Sequence, residues 1–124
     1  MSAWQAYVDP ILGEGMASGA AICGLDGQVW ASSNLTVEPD EVKAAMAGFA
    51  DSNNLEKVSV GGVKYTFINR SEDKELHVKK GATGACIMKG ETFVVFAWYE
   101  DSIAKGPCTS WTRKIVEDLV EKGY

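Results

Sequence analysis

The side chains best suited to chemistry in this 124-residue chain are three thiols, Cys23, Cys86 and Cys108, and one imidazole, His77. A thiol nucleophile needs a base beside it, and nothing in the spacing of these four residues brings His77 to a cysteine. No Cys-x-x-Cys or His-x-x-x-His pair offers metal-ligand spacing, and the glycine patterns of phosphate-binding and dinucleotide-binding loops are missing. Three thiols make an odd, sparse set unlike a disulfide framework, which favours reduced cysteines in a cytosolic compartment. The residues therefore read as those of a non-enzymatic protein with no metal or cofactor.

The aromatic residues suggest recognition instead. Trp4 and Tyr7 lie one helical turn apart, so their rings neighbour each other on one face. Strand alternation pairs Trp30 with Gln28 and Ser32, with Val29 and Ala31 on the other side, and Tyr124 follows Gly123 at the last position. These rings either fill core beneath a first helix or form a groove. A groove of rigid aromatics would suit polyproline II segments, whose rings and carbonyls are unencumbered by internal hydrogen bonds. Indole N–H and phenol O–H groups reach such carbonyls. Trp111 is left as core or as a separate contact.

Charge is uneven. The chain carries 12 Lys plus Arg against 17 Asp plus Glu, a net −5, which opposes general nucleic-acid binding. Between Glu56 and Lys89, seven basic residues (Lys57, Lys64, Arg70, Lys74, Lys79, Lys80, Lys89) outnumber four acids, giving +3 and leaving −8 elsewhere. That segment is a solvated strand face or a docking patch for an acidic protein or anionic headgroups. No run of 18 apolar residues suggests a membrane span, and no basic stretch with an apolar run behind it suggests a secretory leader.

The elements that would position these residues are legible. Ser2 to Leu12 reads as a helix with Trp4, Tyr7, Val8, Ile11 and Leu12 on one face, kinked or ended near Pro10. Ala20–Leu25 and Gln28–Ser33 read as a hairpin around Asp26-Gly27, a type I′ signal. Pro39 opens a helix whose apolar face is Val42, Ala45, Met46 and Phe49, with Glu38, Asp40 and Glu41 at its positive end. After Gly61-Gly62, Val63, Tyr65, Phe67, then Leu76 and Val78, alternate with polar residues; Gly81 and Gly84 bracket a turn before Ala85–Met88. Phe93 to Trp98 is apolar throughout, as in a strand covered on both faces. Pro107 introduces a last helix from Thr109 to about Lys122. The class is α+β, one domain over 1–124 with a central antiparallel sheet sandwiched by helices.

Ser2-Ala3-Trp4-Gln5-Ala6-Tyr7-Val8-Asp9 resembles the opening signature of the profilins, small proteins that bind actin monomers. The resemblance continues through Ala21-Ile22-Cys23-Gly24-Leu25-Asp26-Gly27-Gln28-Val29-Trp30-Ala31, Gly62-Val63-Lys64-Tyr65, Val78-Lys79-Lys80-Gly81 and the last helix to Leu119 and Tyr124. It implies a fold with the N- and C-terminal helices packed together on one face. It also implies a proline-rich-ligand groove between those helices, formed by Trp4, Tyr7, Trp30, Leu119 and Tyr124. Asp118 stands beside Leu119 where an aromatic or histidine is expected; a carboxylate cannot stack on proline, so the groove should be weaker or shifted.

An actin face is implied at Lys64, Arg70, Lys79, Lys80, Lys89, Tyr99 and Lys105. The expected partners are monomeric actin, proline-rich proteins such as formin-type nucleators, and anionic phosphoinositide lipids, in a cytoplasmic, cytoskeleton-associated setting. Faster nucleotide exchange on actin is a further implication. The alternative is a proline-binding module of the same fold that has lost actin; a small-molecule enzyme is the poorest reading.

Overall fold

The structure is a computed structural model that describes residues 18–50, 56–71, 75–81, 83–100 and 105–123. The expected first helix, with Trp4 and Tyr7, and the terminal Tyr124 lie outside them. Seven strands form one antiparallel sheet: β1 (Gly19–Gly24), β2 (Val29–Ser33), β3 (Lys57–Val60), β4 (Val63–Ser71), β5 (Glu75–Lys80), β6 (Thr83–Lys89) and β7 (Phe93–Tyr99). Their order across the sheet is β2-β1-β7-β6-β5-β4-β3. Helix α1 (Pro39–Ala50) packs on β3 and β5 on one face, and α2 (Lys105–Glu121) on β6 and β7 on the other.

Strand β7 explains the two layers. Phe93, Val95, Ala97 and Tyr99 join one buried cluster with Ile115 and Leu119 of α2. Val94 and Phe96, from the alternate positions, join the other with Val42, Ala45 and Phe49 of α1. An apolar run without alternation thus feeds two cores from one strand. Tyr65, Leu76 and Val78 also face α1, with Phe67 packed against them, as their period of two requires.

Local chemistry alters several expected boundaries. Asp26-Gly27 does not form a type I′ turn, because Gly27 has φ 97° while Asp26 is not among the residues with positive φ. Gly27 N–H donates to Gly24 O and Gly24 N–H to Gln28 O, the pattern of a type I turn followed by a left-handed glycine. The two-residue turn with both residues at positive φ is Gly61-Gly62, at 63° and 82°, and it joins β3 to β4. Strand β3 was not expected from the pattern. Gly84 lies within β6 rather than in a turn, because the Tyr99 ring occupies the space its Cβ would need. Helix α2 begins at Lys105, two residues before Pro107, which still falls in the first turn where no N–H is required.

Glu41 ties α1 to that second turn. Its carboxylate accepts from Glu38 N–H at the start of α1 (3.0 Å), Ser59 Oγ (2.5 Å), Gly61 N–H (3.1 Å) and Gly62 N–H (2.8 Å). The bond to Glu38 is half of a capping box. Burial would raise this carboxyl's pKa, but the Ser59, Glu38, Gly62 and Gly61 donors outweigh it and hold the pKa below the ordinary value. At the other end of α1, whose last turn has no basic residue, Arg70 Nη1 donates to Phe49 O at 2.8 Å from β4.

A lowered folded-state pKa means that Glu41 contributes stability above the unfolded value of about 4.3, and that this is lost as pH falls through the folded value. Glu41→Gln should therefore cost about 1–3 kcal/mol at pH 7, by setting an amide against backbone donors. The gap from wild type should narrow toward pH 3. Urea unfolding at both pH values checks this; an equal gap at both would contradict it.

Candidate binding surfaces

Trp30 occupies an irregularity that strand parity could not reveal. Ile22 pairs with Ala31 and Cys23 with Val29, so Trp30 is the extra residue of a β-bulge. The bulge turns both Trp30 and Ala31 toward the α2 layer, which corrects the alternation that set them on opposite faces. The indole lies over Gly24, where a Cβ would come within 3.1 Å of Nε1 and Cζ2. Trp30 is half-buried against the cluster that contains Leu119, which is itself 0% exposed. Leu119 can thus floor a site but presents no free surface. Gly24 is the residue that sequence reasoning missed; its place two residues beyond Ile22 on the same face of β1 was the available signal.

Trp111 and Val116 pack partly buried on the same cluster. Asp118 is half-buried beside Leu119. Trp30 and Leu119 are therefore brought together, while Trp4, Tyr7 and Tyr124 fall outside the described residues.

The seven residues of the implied basic face separate into groups. Lys64, Lys79 and Lys80 are exposed near one end of the strands, with Thr66 of β4 paired to Lys79 of β5. Lys57, close by, donates to Thr66 Oγ1 at 3.0 Å. Arg70 and Lys89 sit at the opposite end and serve α1: Arg70 through Phe49 O, Lys89 with Nζ 5.7 Å from the Phe49 ring centroid. Tyr99 is buried beneath α2, and Lys105 is the first residue of that helix. Ile68, at 51% exposure, is the extra residue of a second bulge, between Phe67 and Asn69, and adds an apolar contact that periodicity did not indicate.

Two of the three thiols lie under α2, and Cys23 lies in the α1 layer. Cys86 Sγ lies 3.8 Å from Cys108 Sγ and 3.4 Å from Thr112 Oγ1, which donates to Cys108 O at 2.8 Å. His77 is the register partner of Cys86, so the ladder does set a histidine opposite a cysteine. Both thiols are buried, however, and contact with Cys86 together with burial raises the Cys108 pKa. Burial and the Glu41 charge push Cys23 up to about 12. The Cys86 pKa is instead lowered, chiefly by its contact with Cys108, but this thiol is buried with its partner. Thiols closed from solvent in this way are packing groups. His77 Nε2 instead meets Glu75 Oε1 at 3.1 Å. Arg113 of α2 grips the same carboxylate through two 2.9 Å bonds, which hold its pKa below the usual range. Among the described residues no group of three or more potential ligands could hold a metal ion, and no helix is long and apolar enough to cross a membrane.

With this geometry in place, similarity to known proteins is informative. Residues 2–124 match the family described as Profilin. The chain is 40% identical over 124 residues to profilin-A of Physarum polycephalum, covering 98% of each protein. Its fold superposes on profilin II of Acanthamoeba castellanii with a TM-score of 0.90 at 29% identity, covering 98% of this chain and 100% of the other. Fold likeness extends at 20% identity to mouse profilin IIa in complex with a double repeat from the FH1 domain of mDia1 (TM-score 0.76, covering 99% and 100%). It extends at 16% to the profilin of the LokiProfilin2/rabbit actin complex (TM-score 0.79, covering 98% of each). Profilins are non-enzymatic actin-binding proteins. The two-layered antiparallel sheet, the re-aimed indole of Trp30 and the match along almost the whole sequence lead to one conclusion: this chain belongs to the profilin family.

Proposed function

We propose that this chain is a one-domain adaptor that binds monomeric actin on one surface and proline-rich segments on another, and so regulates filament assembly. The observation that carries the second activity is the Trp30 bulge. It sets a half-buried indole on Gly24, beside the cluster floored by Leu119. An indole held this way offers a rigid face to a proline ring and loses little freedom on binding. Trp4, Tyr7 and Tyr124 complete the groove by their match to the family pattern. Asp118 removes one stacking partner, so the ligand is held more weakly or shifted toward Trp30.

For actin, the reading centres on Lys64, Lys79 and Lys80, the members of the implied set left exposed at one end of the sheet. The exposed Ile68 extends that surface and buried Tyr99 supports it from within the fold. Lys105 joins it by its match to the family pattern, while Arg70 and Lys89, of the same implied set, lie at the other end of the strands against α1. Positive charge speeds encounter with an acidic partner and sets orientation. Phosphoinositide headgroups compete for the same lysines. Preference for an open state of actin accelerates nucleotide exchange by population shift. These activities belong to the cytoplasm and its cytoskeleton, with formin-type proteins as the proline-rich partners. The FH1 and actin complexes of the structural relatives support both halves of this reading.

Trp4→Ala and Trp30→Ala should each abolish retention on a polyproline column and leave actin-monomer binding largely unchanged; normal retention of either variant would remove that residue from the groove. Lys79→Glu combined with Lys80→Glu should weaken actin binding by about tenfold or more and flatten its dependence on salt. A titration in which the wild-type chain binds no actin monomer would leave the proline-binding module as the function.

A further inference from the structure

A groove of about 870 Å³ runs along the C-terminal half of α2, and neither Trp30 nor any of Lys64, Lys79 and Lys80 is among its lining residues. Its apolar part includes Val116 and Val120, one turn apart on α2, with Met88 beneath and Leu25 at the edge. Val120 and Leu25 are 39% and 36% exposed, a pair of large apolar side chains left partly in water. Its polar part is acidic. Glu75 is satisfied by Arg113 and His77, and Lys89 directs its ammonium to the Phe49 ring. Glu91, Glu117 and Glu121 remain, and among the described residues none of them is held in a salt bridge.

Two of these carboxylates lie where they oppose the helix. The last turn of α2 contains no basic residue, and Glu117, Asp118 and Glu121 crowd its negative dipole end. Acids there destabilise a helix, and a cation brought to them offsets that cost. The lining carries four glutamates against Lys89 and Arg113, a balance that favours a cationic ligand. Arg113 to Glu121 covers about 12 Å of helix, room for two turns of an incoming helix. Two turns present apolar side chains at i, i+3 and i+4 to Val116 and Val120, with flanking Lys or Arg side chains reaching the glutamates.

We propose that this groove docks a basic amphipathic helical segment of a partner protein. The site is set apart from the exposed lysines on which the proposed actin contact centres: it adjoins Glu75, whereas Lys79 and Lys80 close the other end of β5, about 15 Å away. Both could be occupied together.

The test uses the full chain and a dye-labelled peptide of about fourteen leucines and lysines arranged in one apolar helical stripe, read by fluorescence anisotropy. Two controls accompany it: the same residues reordered to destroy the stripe, and a leucine–glutamate peptide that keeps it. The striped basic peptide should bind at least about tenfold more tightly than the reordered one, and the acidic peptide should not bind. Val120→Asp, at a partly exposed position, should lower affinity about tenfold. Glu117→Lys with Glu121→Lys should do the same while admitting the acidic peptide. Equal binding of the two basic peptides would reduce the effect to net charge and overturn the proposal. Unchanged affinity in both variants would place binding elsewhere and overturn it equally.

Discussion

Strand β7 has to satisfy two hydrophobic layers simultaneously, and the other elements are arranged around that demand. It is hydrogen-bonded on both sides, to β1 and β6, and its side chains alternate between the α2 and α1 clusters. Full burial of a Phe or Val side chain is worth about 1.5–3 kcal/mol, so leaving either face of β7 open would forfeit several such contributions. The two helices are therefore obligatory covers. Once α2 is seated on β6 and β7, its flanks are where the two proposed ligands would meet it. One flank lies toward the indole of Trp30, the other along the Glu117 and Glu121 stripe.

Much of this was legible in the amino-acid order because periodicity and burial speak the same language. The unbroken apolar run from Phe93 to Trp98 indicated a two-faced strand, and Val42, Ala45 and Phe49 indicated the buried stripe of α1; both are so. What escaped was whatever breaks a period. A bulge inserts one residue and reverses parity beyond it, so Trp30 and Ala31 share a face that alternation denies them. The same device exposes Ile68 on β4. Turn chemistry was similarly ambiguous. Asp26-Gly27 and Gly61-Gly62 both permit a two-residue turn, and only the latter uses it, with its N–H groups committed to Glu41 twenty residues away. No local pattern encodes such a long-range acceptor.

Charge counted along the chain was also a partial guide. The excess of basic residues between Glu56 and Lys89 is real, yet the fold divides it by use. Arg70 and Lys89 attend the carbonyl end of α1, which carries no cation of its own, while Lys64, Lys79 and Lys80 stay in solvent. A residue's sign was visible in the sequence; whether that charge is committed to the fold or left for a partner depends on which helix end lies beside it. Arg113 and Glu75 illustrate the reverse, a bidentate pair between distant residues that fastens α2 to the sheet and withdraws one glutamate from the acidic groove.

The distribution of the thiols has an experimental consequence. Cys23 is sealed in the α1 layer, whereas Cys86 and Cys108 touch each other in the α2 layer. An alkylating reagent can reach either group only when the corresponding cover lifts. The chain therefore carries two built-in clocks, one timing the opening of each layer. Comparing their rates with and without a ligand would show which helix that ligand holds down, with no label added to any binding surface.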